Sequence, residues 1–315
     1  MTFSKGSIPE IPLISLVTST PEDVLQALST VGFIHLDLEG TVLRQEDVDR
    51  AFEISAIIHS IPMEDRRDSM LDARSNGYRG MIDSLDERSK KPDWKESFGW
   101  GRFEAGAGES ETTQVLPEAL EIYKPEMASF SSKCFDTSLR VLDMLSKALN
   151  VLFHPTSFDP STETQEKTYA LVATKWGDIT LLFQEQNGQP GLQIYLPTEE
   201  VKAQRGLQLI QGDVDLESGL WISAPIIPNT VLVNVGLILE FMTDGICKAN
   251  VHRVIFPPSA EGELPRNRKS IAYFSTPSFD VEMSQVRPDG TIVKAQESSS
   301  VGEFFAERQR LARAS

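Results

Sequence analysis

Two side chains near the C-terminal end have the types and the spacing of a carboxylate clamp. Arg268 and Ser270 are two residues apart in a β-rich run. Because successive side chains of a strand point to opposite faces, residues two apart share one face. A guanidinium can bind a carboxylate through two N–H groups, and a serine hydroxyl can add a further hydrogen bond. The pair therefore predicts a site for an acidic small molecule, with an ion pair to a nearby acidic residue as the structural alternative.

Histidine and cysteine limit the metal sites that the chain can build. The chain has 4 histidines and 2 cysteines, namely His35, His59, His154, His252, Cys134 and Cys247. Only His35-Leu36-Asp37 places a histidine and a carboxylate two residues apart, and a strand would put both on one face, as a metal site requires. The two cysteines have no C-x-x-C partner, so we predict buried free thiols rather than a disulfide or a thiolate metal site.

Composition excludes several classes of protein. The chain has 315 residues, of which 40% are hydrophobic and 24% charged, which is enough for one domain of catalytic size. The net charge of −16 repels phosphate backbones and anionic membrane surfaces, so nucleic acid and membrane are not expected as partners. No apolar run has the length of a signal peptide or of a membrane span. The sequence predicts a cytoplasmic protein.

Helices are predicted mainly in the first half of the chain. Pro21–Thr30 reads as a helix with Thr20 as its N-cap, because proline is favoured at the first helical position. Apolar residues recur at helical spacing over residues 44–61 and 125–153. Between these two helices, residues 76–80 are predicted to form a turn, since glycines begin and end the short run Gly77-Tyr78-Arg79-Gly80.

After residue 160 the pattern changes to short β-rich runs. Seven strands are predicted, over residues 169–173, 179–183, 192–195, 219–222, 230–235, 251–255 and 270–274. This number and spacing fit a sandwich, a barrel or a jelly roll. We therefore predict residues 1–160 as a helical N-terminal region packed on the core. Residues 161–315 are predicted as the β-rich core, with a C-terminal helix over residues 300–313.

The order of several short segments carries a family resemblance. In chain order they are Ile11-Pro12-Leu13-Ile14, Gly32-Phe33-Ile34, Gly77-Tyr78-Arg79-Gly80, Trp176-Gly177-Asp178-Ile179-Thr180-Leu181-Leu182-Phe183-Gln184, Gly191-Leu192-Gln193, Val233-Asn234-Val235-Gly236, His252-Arg253-Val254 and Arg268-Lys269-Ser270. Together they resemble the isopenicillin N synthase-like family of Fe(II)/2-oxoglutarate-dependent dioxygenases. The resemblance covers nearly the whole chain. It implies a mainly β fold with flanking helices, in which residues 161–315 form a double-stranded β-helix, or jelly-roll, core.

The resemblance implies an iron site that this chain has altered. In the family a histidine, an aspartate two residues later and a distal histidine hold Fe(II), and the Arg-x-Ser pair binds the far carboxylate of 2-oxoglutarate. Ala173 and Lys175 stand at the first two positions, which leaves His252. A methyl group has no lone pair, and an ammonium group repels a divalent cation. We therefore expect no cofactor, with 2-oxoglutarate and Fe(II) binding weakly or not at all, and no metal at His35 either, because its strand lies outside the family's metal centre.

These features lead to one function hypothesis and two alternatives. The hypothesis is a redox-neutral enzyme that cyclises, rearranges, isomerises or dehydrates a small organic metabolite in natural-product biosynthesis. Its candidate catalytic residues are Lys175 and His252, and its candidate substrate-binding residues are Arg268, Ser270, Trp176 and Trp221. The alternatives are a non-catalytic binding or scaffold partner of a biosynthetic enzyme, and an Fe(II)/2-oxoglutarate oxygenase with unusual ligands. A protein partner and a homodimer both stay open.

Overall fold

A computed structural model describes most of the chain in two compact units. The described residues are 10–67, 77–80, 96–101, 116–151, 153–154, 169–170, 178–196, 219–255, 267–277, 279, 281–287, 290–294 and 300–314. One unit comprises Met1–Arg44 and Phe135–Ser315, and the other comprises Gln45–Cys134. The predicted division into residues 1–160 and 161–315 follows the change from helices to strands and stays a prediction.

The helices follow the predicted apolar periodicity. They are α1 (Pro21–Thr30), α2 (Gln45–Ser60), α3 (Met63–Arg67), α4 (Glu118–Glu121), α5 (Lys124–Leu149), α6 (Leu237–Met242) and α7 (Val301–Ala314). Thr20 caps α1 as predicted, since its hydroxyl accepts from the Asp23 N–H at 3.2 Å and the Asp23 carboxylate accepts from the Thr20 N–H at 2.8 Å. No helix in the described ranges has the length and apolar character needed to cross a membrane.

Two local predictions are wrong. Helix α5 ends at Leu149 rather than at residue 153, because Asn150 takes a left-handed φ of 51° and the next element is a strand. The predicted turn at residues 76–80 contains a strand, Gly77–Arg79, in which Tyr78 pairs with Phe98. The left-handed residue ends the helix locally, whereas at Tyr78 pairing with a strand 20 residues away decides the conformation.

The longer strands form two sheets that pack on a shared apolar cluster. In chain order the strands are β1 (Leu13–Ile14), β2 (Phe33–Asp37), β3 (Gly77–Arg79), β4 (Ser97–Gly99), β5 (Phe153–His154), β6 (Tyr169–Ala170), β7 (Ile179–Gln184), β8 (Leu192–Leu196), β9 (Leu220–Ser223), β10 (Thr230–Val235), β11 (His252–Val254), β12 (Ser270–Ser275), β13 (Ser284–Val286) and β14 (Ile292–Lys294). The main sheet has the order β1-β2-β10-β7-β12, and a smaller sheet has the order β11-β8-β9.

Each of these two sheets contributes one face to the cluster. Phe33 and Leu232 of the main sheet belong to the same cluster as Leu192, Ile194 and Ile222 of the smaller sheet. The faces that carry these residues are called the inner faces below. Since two sheets packed face to face with flanking helices are the architecture expected from the sequence, the predicted mainly β fold is confirmed.

The unit formed by Gln45–Cys134 has its own core. Buried residues of α2, α4 and the start of α5 pack together, among them Ile54, Leu120 and Met127. On its surface Arg50 donates to both carboxylate oxygens of Glu126, at 2.7 and 3.1 Å. Ion pairs this exposed contribute little to stability, so the apolar cluster is the main source of order in this unit.

Candidate functional site

Arg268 is a half-buried cation for which the described residues provide no acidic partner. It lies two residues before the start of β12, and its Nη1 is 3.4 Å from the Ser270 hydroxyl, while its Nη2 lies 3.3 Å from Oε1 of Gln184. Its Nε is buried and has no hydrogen-bond partner among those residues. Burial lowers the pKa of the guanidinium from its ordinary value. A buried charge without a counter-ion is unfavourable, so this environment suits an anionic ligand such as a carboxylate.

The pairing of β12 with β7 positions the groups around Arg268. Ser270 is directly opposite Gln184, so both side chains lie on the inner face next to the guanidinium. Gly191 allows the backbone at Ile255 to approach closely, because a Cβ there would lie 2.4 Å from the carbonyl oxygen of Ile255, whereas Cδ of Arg268 would be at an ordinary contact distance of 3.5 Å. Sequence reasoning included Gln184 and Gly191 in the family resemblance but gave neither a role in the site.

His252 lies on the inner face of the smaller sheet. It pairs with Ile194 across β11 and β8, and its ring meets Phe33 edge to face, with centroids 5.7 Å apart. Its Nδ1 lies 3.3 Å from the carbonyl oxygen of Asn250. The residue is exposed, so a ligand can reach it. The structure thus brings His252 and Arg268 to faces that share one interior.

The described residues include one of the three positions at which the family resemblance implies an iron ligand, namely His252. Within the described ranges no group of three or more His, Cys, Asp or Glu residues could hold a metal ion. His252 is the one described donor from the predicted ligand positions, and a single imidazole does not complete a site for Fe(II). Ala173, Lys175 and Trp176 lie outside the described residues, so the roles assigned to them stay predictions.

Trp221 lies on the opposite face of the smaller sheet. Its neighbour Ile222 pairs with Ile194, which faces inward, so Trp221 points outward. There it contacts Tyr195, with ring centroids 5.3 Å apart, and the Arg253 guanidinium lies 3.9 Å from its ring centroid. The structure therefore does not bring Trp221 together with His252 and Arg268, and its role in substrate binding stays a prediction that this geometry does not favour.

An exposed apolar wall continues from the arginine. Ser270, Ala272 and Phe274 alternate along β12 on its inner face, and Phe274 is 51% exposed. On the inner face of β11, Val254 is 53% exposed. Large exposed apolar groups beside a cation are typical of a site for an organic molecule. Sequence reasoning missed Ala272, Phe274 and Val254. The alternation of β12 places Ala272 and Phe274 on the face of Ser270.

His35 and Asp178 are buried titratable side chains, and each has a polar atom that no described residue bonds. His35 on the inner face of β2 is 2% exposed, its Nε2 is the unbonded atom, and burial lowers its pKa to about 4. Asp178 before β7 is 1% exposed, its Oδ1 is unbonded, and burial raises its pKa well above the usual range. Asp37 instead accepts hydrogen bonds from Asn229 and Glu39, at 3.1 and 2.9 Å. These contacts hold the Asp37 carboxylate at the end of β2.

Asp178→Asn should remove a pH-dependent loss of stability. An acid with a raised pKa keeps its proton in the folded chain while the unfolded chain ionises near pH 4, so wild-type stability falls as pH rises above that value. The amide has nearly the same shape and does not ionise, so the variant should have the higher Tm at pH 7 and a smaller difference at pH 4. Thermal unfolding at both pH values measures this, with the exposed Asp143→Asn as control. An equal Tm difference at the two pH values would show that Asp178 is ionised in the folded chain.

Two family models match the chain. Residues 150–277 match the 2OG-Fe(II) oxygenase superfamily. Residues 11–119 match the model described as non-haem dioxygenase in morphine synthesis N-terminal. The two matches follow each other in chain order, and the superfamily match includes His252, Arg268 and Ser270. They agree with the resemblance inferred from the short segments.

Whole proteins with similar sequences or structures support the same assignment. UPF0676 protein C1494.01 of Schizosaccharomyces pombe is 27% identical over 327 residues, covering 95% of this chain and 91% of that protein. Proline hydroxylase buaE of Petromyces alliaceus is 23% identical over 304 residues, and the alignment covers 88% of this chain and 86% of that protein. The crystal structure of a full-length Neurospora crassa protein in complex with alpha-KG and thymine superposes with a TM-score of 0.69 at 23% identity, covering 97% of each chain. This likeness shows the jelly-roll fold.

These comparisons correct the prediction about cofactors. The expectation that the chain uses none, and binds 2-oxoglutarate and Fe(II) weakly or not at all, is wrong. The matched family consists of Fe(II)/2-oxoglutarate oxygenases, and similar structures contain alpha-KG, so both cofactors are expected. The guanidinium of Arg268, with its unbonded Nε, fits the carboxylate of 2-oxoglutarate. The loss of iron ligands at Ala173 and Lys175 stays a prediction.

The matches extend from the first strand to the strand that carries Ser270, and they agree with both the fold and the carboxylate clamp. A relative and a solved structure also cover nearly the whole chain, and the structure has the same fold. The chain belongs to the 2OG-Fe(II) oxygenase superfamily, a superfamily of enzymes.

Proposed function

We propose that the chain is an enzyme that binds 2-oxoglutarate at Arg268 and acts on a small organic molecule held between the two sheets. One observation carries this proposal: the guanidinium of Arg268 is half-buried, lies beside the Ser270 hydroxyl and has no acidic partner in the described part of the chain. A dicarboxylate supplies the missing negative charge. Binding of one carboxylate then offsets the desolvation of the arginine.

The residues around the clamp have distinct parts in holding the ligand. Arg268 would donate from its Nη atoms to the far carboxylate, and Ser270 would donate from its hydroxyl to the same group. Gln184 accepts from Nη2 and so fixes the plane of the guanidinium. Its position opposite Ser270 makes it a positioning residue rather than a catalytic one. A ligand held at this end points its other carboxylate along the inner faces.

His252 lies in the same interior and is the described group that could contact a metal or a reacting molecule. When bound, Fe(II) and 2-oxoglutarate supply the oxidising chemistry of the superfamily. The described residues offer only one of the donors for Fe(II), so we assign no reaction step to the metal. What this chain itself supplies is a fixed anion site, an imidazole and an apolar wall.

The apolar wall indicates the kind of substrate. Ala272 and Phe274 on β12 and Val254 on β11 present apolar surface next to the clamp. A substrate with an apolar or aromatic body would cover these side chains and exclude water from the clamp. A relative named for proline hydroxylation, and a structural neighbour solved with thymine, support a small organic substrate. We place this substrate in natural-product metabolism.

A second candidate is a redox-neutral reaction, meaning a cyclisation, rearrangement, isomerisation or dehydration of the bound metabolite. One sequence feature favours it, namely Ala173 and Lys175 at the positions where the family resemblance implies histidine and aspartate. Lys175 and His252 would then act as acid, base or fixed charge beside the substrate. Arg268 and Ser270 would hold a carboxylate of the substrate itself.

Binding of 2-oxoglutarate tests the main proposal. Calorimetry with the purified chain and Fe(II) under nitrogen should give saturable binding of one 2-oxoglutarate per chain, and succinate should displace it only weakly because it lacks the keto group. Glutarate is titrated as the control. It has both carboxylates but no keto group, so only the clamp can recognise it. No heat from 2-oxoglutarate at concentrations that saturate related enzymes would reject the proposal.

Product analysis separates the two candidate reactions. After oxygen is admitted, the main candidate predicts that succinate accumulates with Fe(II), and that His252→Ala lowers its rate by about 100-fold if the imidazole contacts the reacting groups. Succinate and substrate-derived products are measured by mass spectrometry. A product with the elemental composition of its substrate, or of its dehydrated form, and no succinate would instead select the redox-neutral candidate.

A further inference from the structure

The unit formed by Gln45–Cys134 contains a cavity of about 270 Å³ that is partly open to solvent. Positions 47, 50, 51 and 54 of α2 line one side, and their helical spacing puts them on one face of that helix. The start of α5 and the residue that follows β4 line the other sides. The apolar residues of the lining include Ala51, Ile54, Trp100, Met127 and Phe130. All five belong to this unit, and none belongs to the carboxylate clamp.

The walls of the cavity are apolar and aromatic. Ala51 is 4% exposed, and Ile54 and Met127 belong to the core cluster of this unit. The indole of Trp100 packs against the same cluster, and its Nε1–H donates to the Ser131 hydroxyl at 3.0 Å. Because this hydrogen bond satisfies the polar atom of the indole, what Trp100 offers a ligand is its apolar ring.

The charged residues of the lining are paired already. Arg50 of α2 donates to both carboxylate oxygens of Glu126 in α5, at 2.7 and 3.1 Å, and to Glu53 at 2.7 Å. Asp47 of α2 accepts from Lys133 of α5 at 2.5 Å. A charged ligand would lose its hydration here without meeting a charge that lacks a partner of opposite sign. The cavity therefore favours a neutral molecule.

The volume determines the size of the ligand. An apolar cavity of about 150 Å³ can hold benzene, so the larger space here has room for a substituted ring or two fused rings. A ring placed against Trp100 and Phe130 removes apolar surface from water on both partners. Aromatic side chains also favour an aromatic ligand through offset or edge-to-face contacts.

We propose that this cavity is a second binding site, which takes a small neutral aromatic molecule between α2 and the start of α5. The site goes beyond the proposed function and does not depend on it, since binding there needs neither Arg268 nor Fe(II). The substrate class of the oxygenase reaction is therefore not constrained by what this second site binds.

Benzyl alcohol, benzoate and benzylammonium are matched probes for this site, because they share one ring and differ in charge. Crystals of the full chain soaked in benzyl alcohol should show its ring beside Trp100 and Phe130. In solution, ligand-detected NMR should give a Kd of about 1 mM for benzyl alcohol. Both charged probes should bind about tenfold more weakly, because neither recovers its hydration in the cavity.

Filling the cavity from α2 tests its location. Ala51→Phe should abolish binding of benzyl alcohol, since the new ring occupies the same space. Ala51→Leu adds less volume to the buried position, so it is the variant to use if the phenylalanine disturbs folding. It should weaken binding about tenfold. Ala56→Leu is the matched control, because Ala56 is exposed on the same helix, and it should bind benzyl alcohol as wild type does.

Several results would overturn the second site. These are benzyl alcohol outside the cavity or bound only at crystal concentration, equal affinities for the three probes, unchanged binding in a folded Ala51 variant, and equal losses in Ala51→Leu and Ala56→Leu. Binding of 2-oxoglutarate is measured in the same preparations. It tests the clamp alone, so failure of the second site and failure of the proposed function are distinguished.

Discussion

Arg268→Gln should weaken the binding of 2-oxoglutarate by about 100-fold. The substitution keeps a polar side chain but removes the charge and the two-pronged donor, and truncating one partner of a buried charged pair typically has an effect of this size. Arg268→Lys should recover only part of the affinity, because an ammonium is a point charge without the fork of a guanidinium. Calorimetry under nitrogen with Fe(II) measures all three affinities.

Lys269→Gln is the matched control for this experiment. Lys269 is the exposed neighbour of Arg268, and it donates to Glu185 at 3.0 Å instead of facing the clamp. Its substitution removes the same charge one residue away, so a general loss of positive charge would weaken binding in both variants. Equal effects of Lys269→Gln and Arg268→Gln would contradict a specific clamp. Ser270→Ala should give a smaller loss, about tenfold, since one neutral donor is removed.

Acidification should destabilise the wild-type chain through His35. The unfolded chain takes up a proton at this ring near pH 6.5, whereas the folded chain resists protonation until about pH 4. A base with a lowered pKa contributes its full stability above pH 6.5, and this contribution is lost as the pH falls toward 4. The shift corresponds to a loss of at most about 3 kcal/mol.

His35→Gln isolates this effect, since glutamine does not titrate. Urea unfolding between about pH 7.5 and about pH 4.5 should show a fall in the free energy of unfolding that is steeper for wild type than for the variant. The slope with urea should stay constant, so that the comparison reports stability alone. Parallel pH profiles for the two proteins would mean that the His35 ring is solvated or bonded in the folded chain, contrary to its burial.

Much of the architecture could be predicted because it depends on local patterns. The capping box at Thr20 and Asp23 uses groups three residues apart, so the sequence alone places the start of α1. Strands β7, β10 and β12 were predicted within one residue at each end, since alternating and β-branched runs are a local property. Where a distant partner decides, prediction failed, as at Tyr78, which pairs with Phe98.

The hairpin of β13 and β14 was not predicted. Its strands have three residues each, and Gly290 between them takes a left-handed φ of 79°. So short a run has too few residues to show alternation, and the glycine alone did not distinguish a hairpin from a loop.

Both predicted free thiols, Cys134 and Cys247, are buried as expected.

From the sequence alone, the two-residue period of an extended backbone predicted that the side chains of Arg268 and Ser270 lie side by side. In the structure Arg268 precedes β12, and its Nη1 lies 3.4 Å from the Ser270 hydroxyl. The sequence also supplied the residue types at Ala173, Lys175 and His252, which the family resemblance interprets. Only the tertiary structure decided that Gln184 lies beside the arginine, that Trp221 points outward and that His35 is buried on the inner face. The physical reason is that strand register is set by packing between residues far apart in the chain, and no local spacing encodes it.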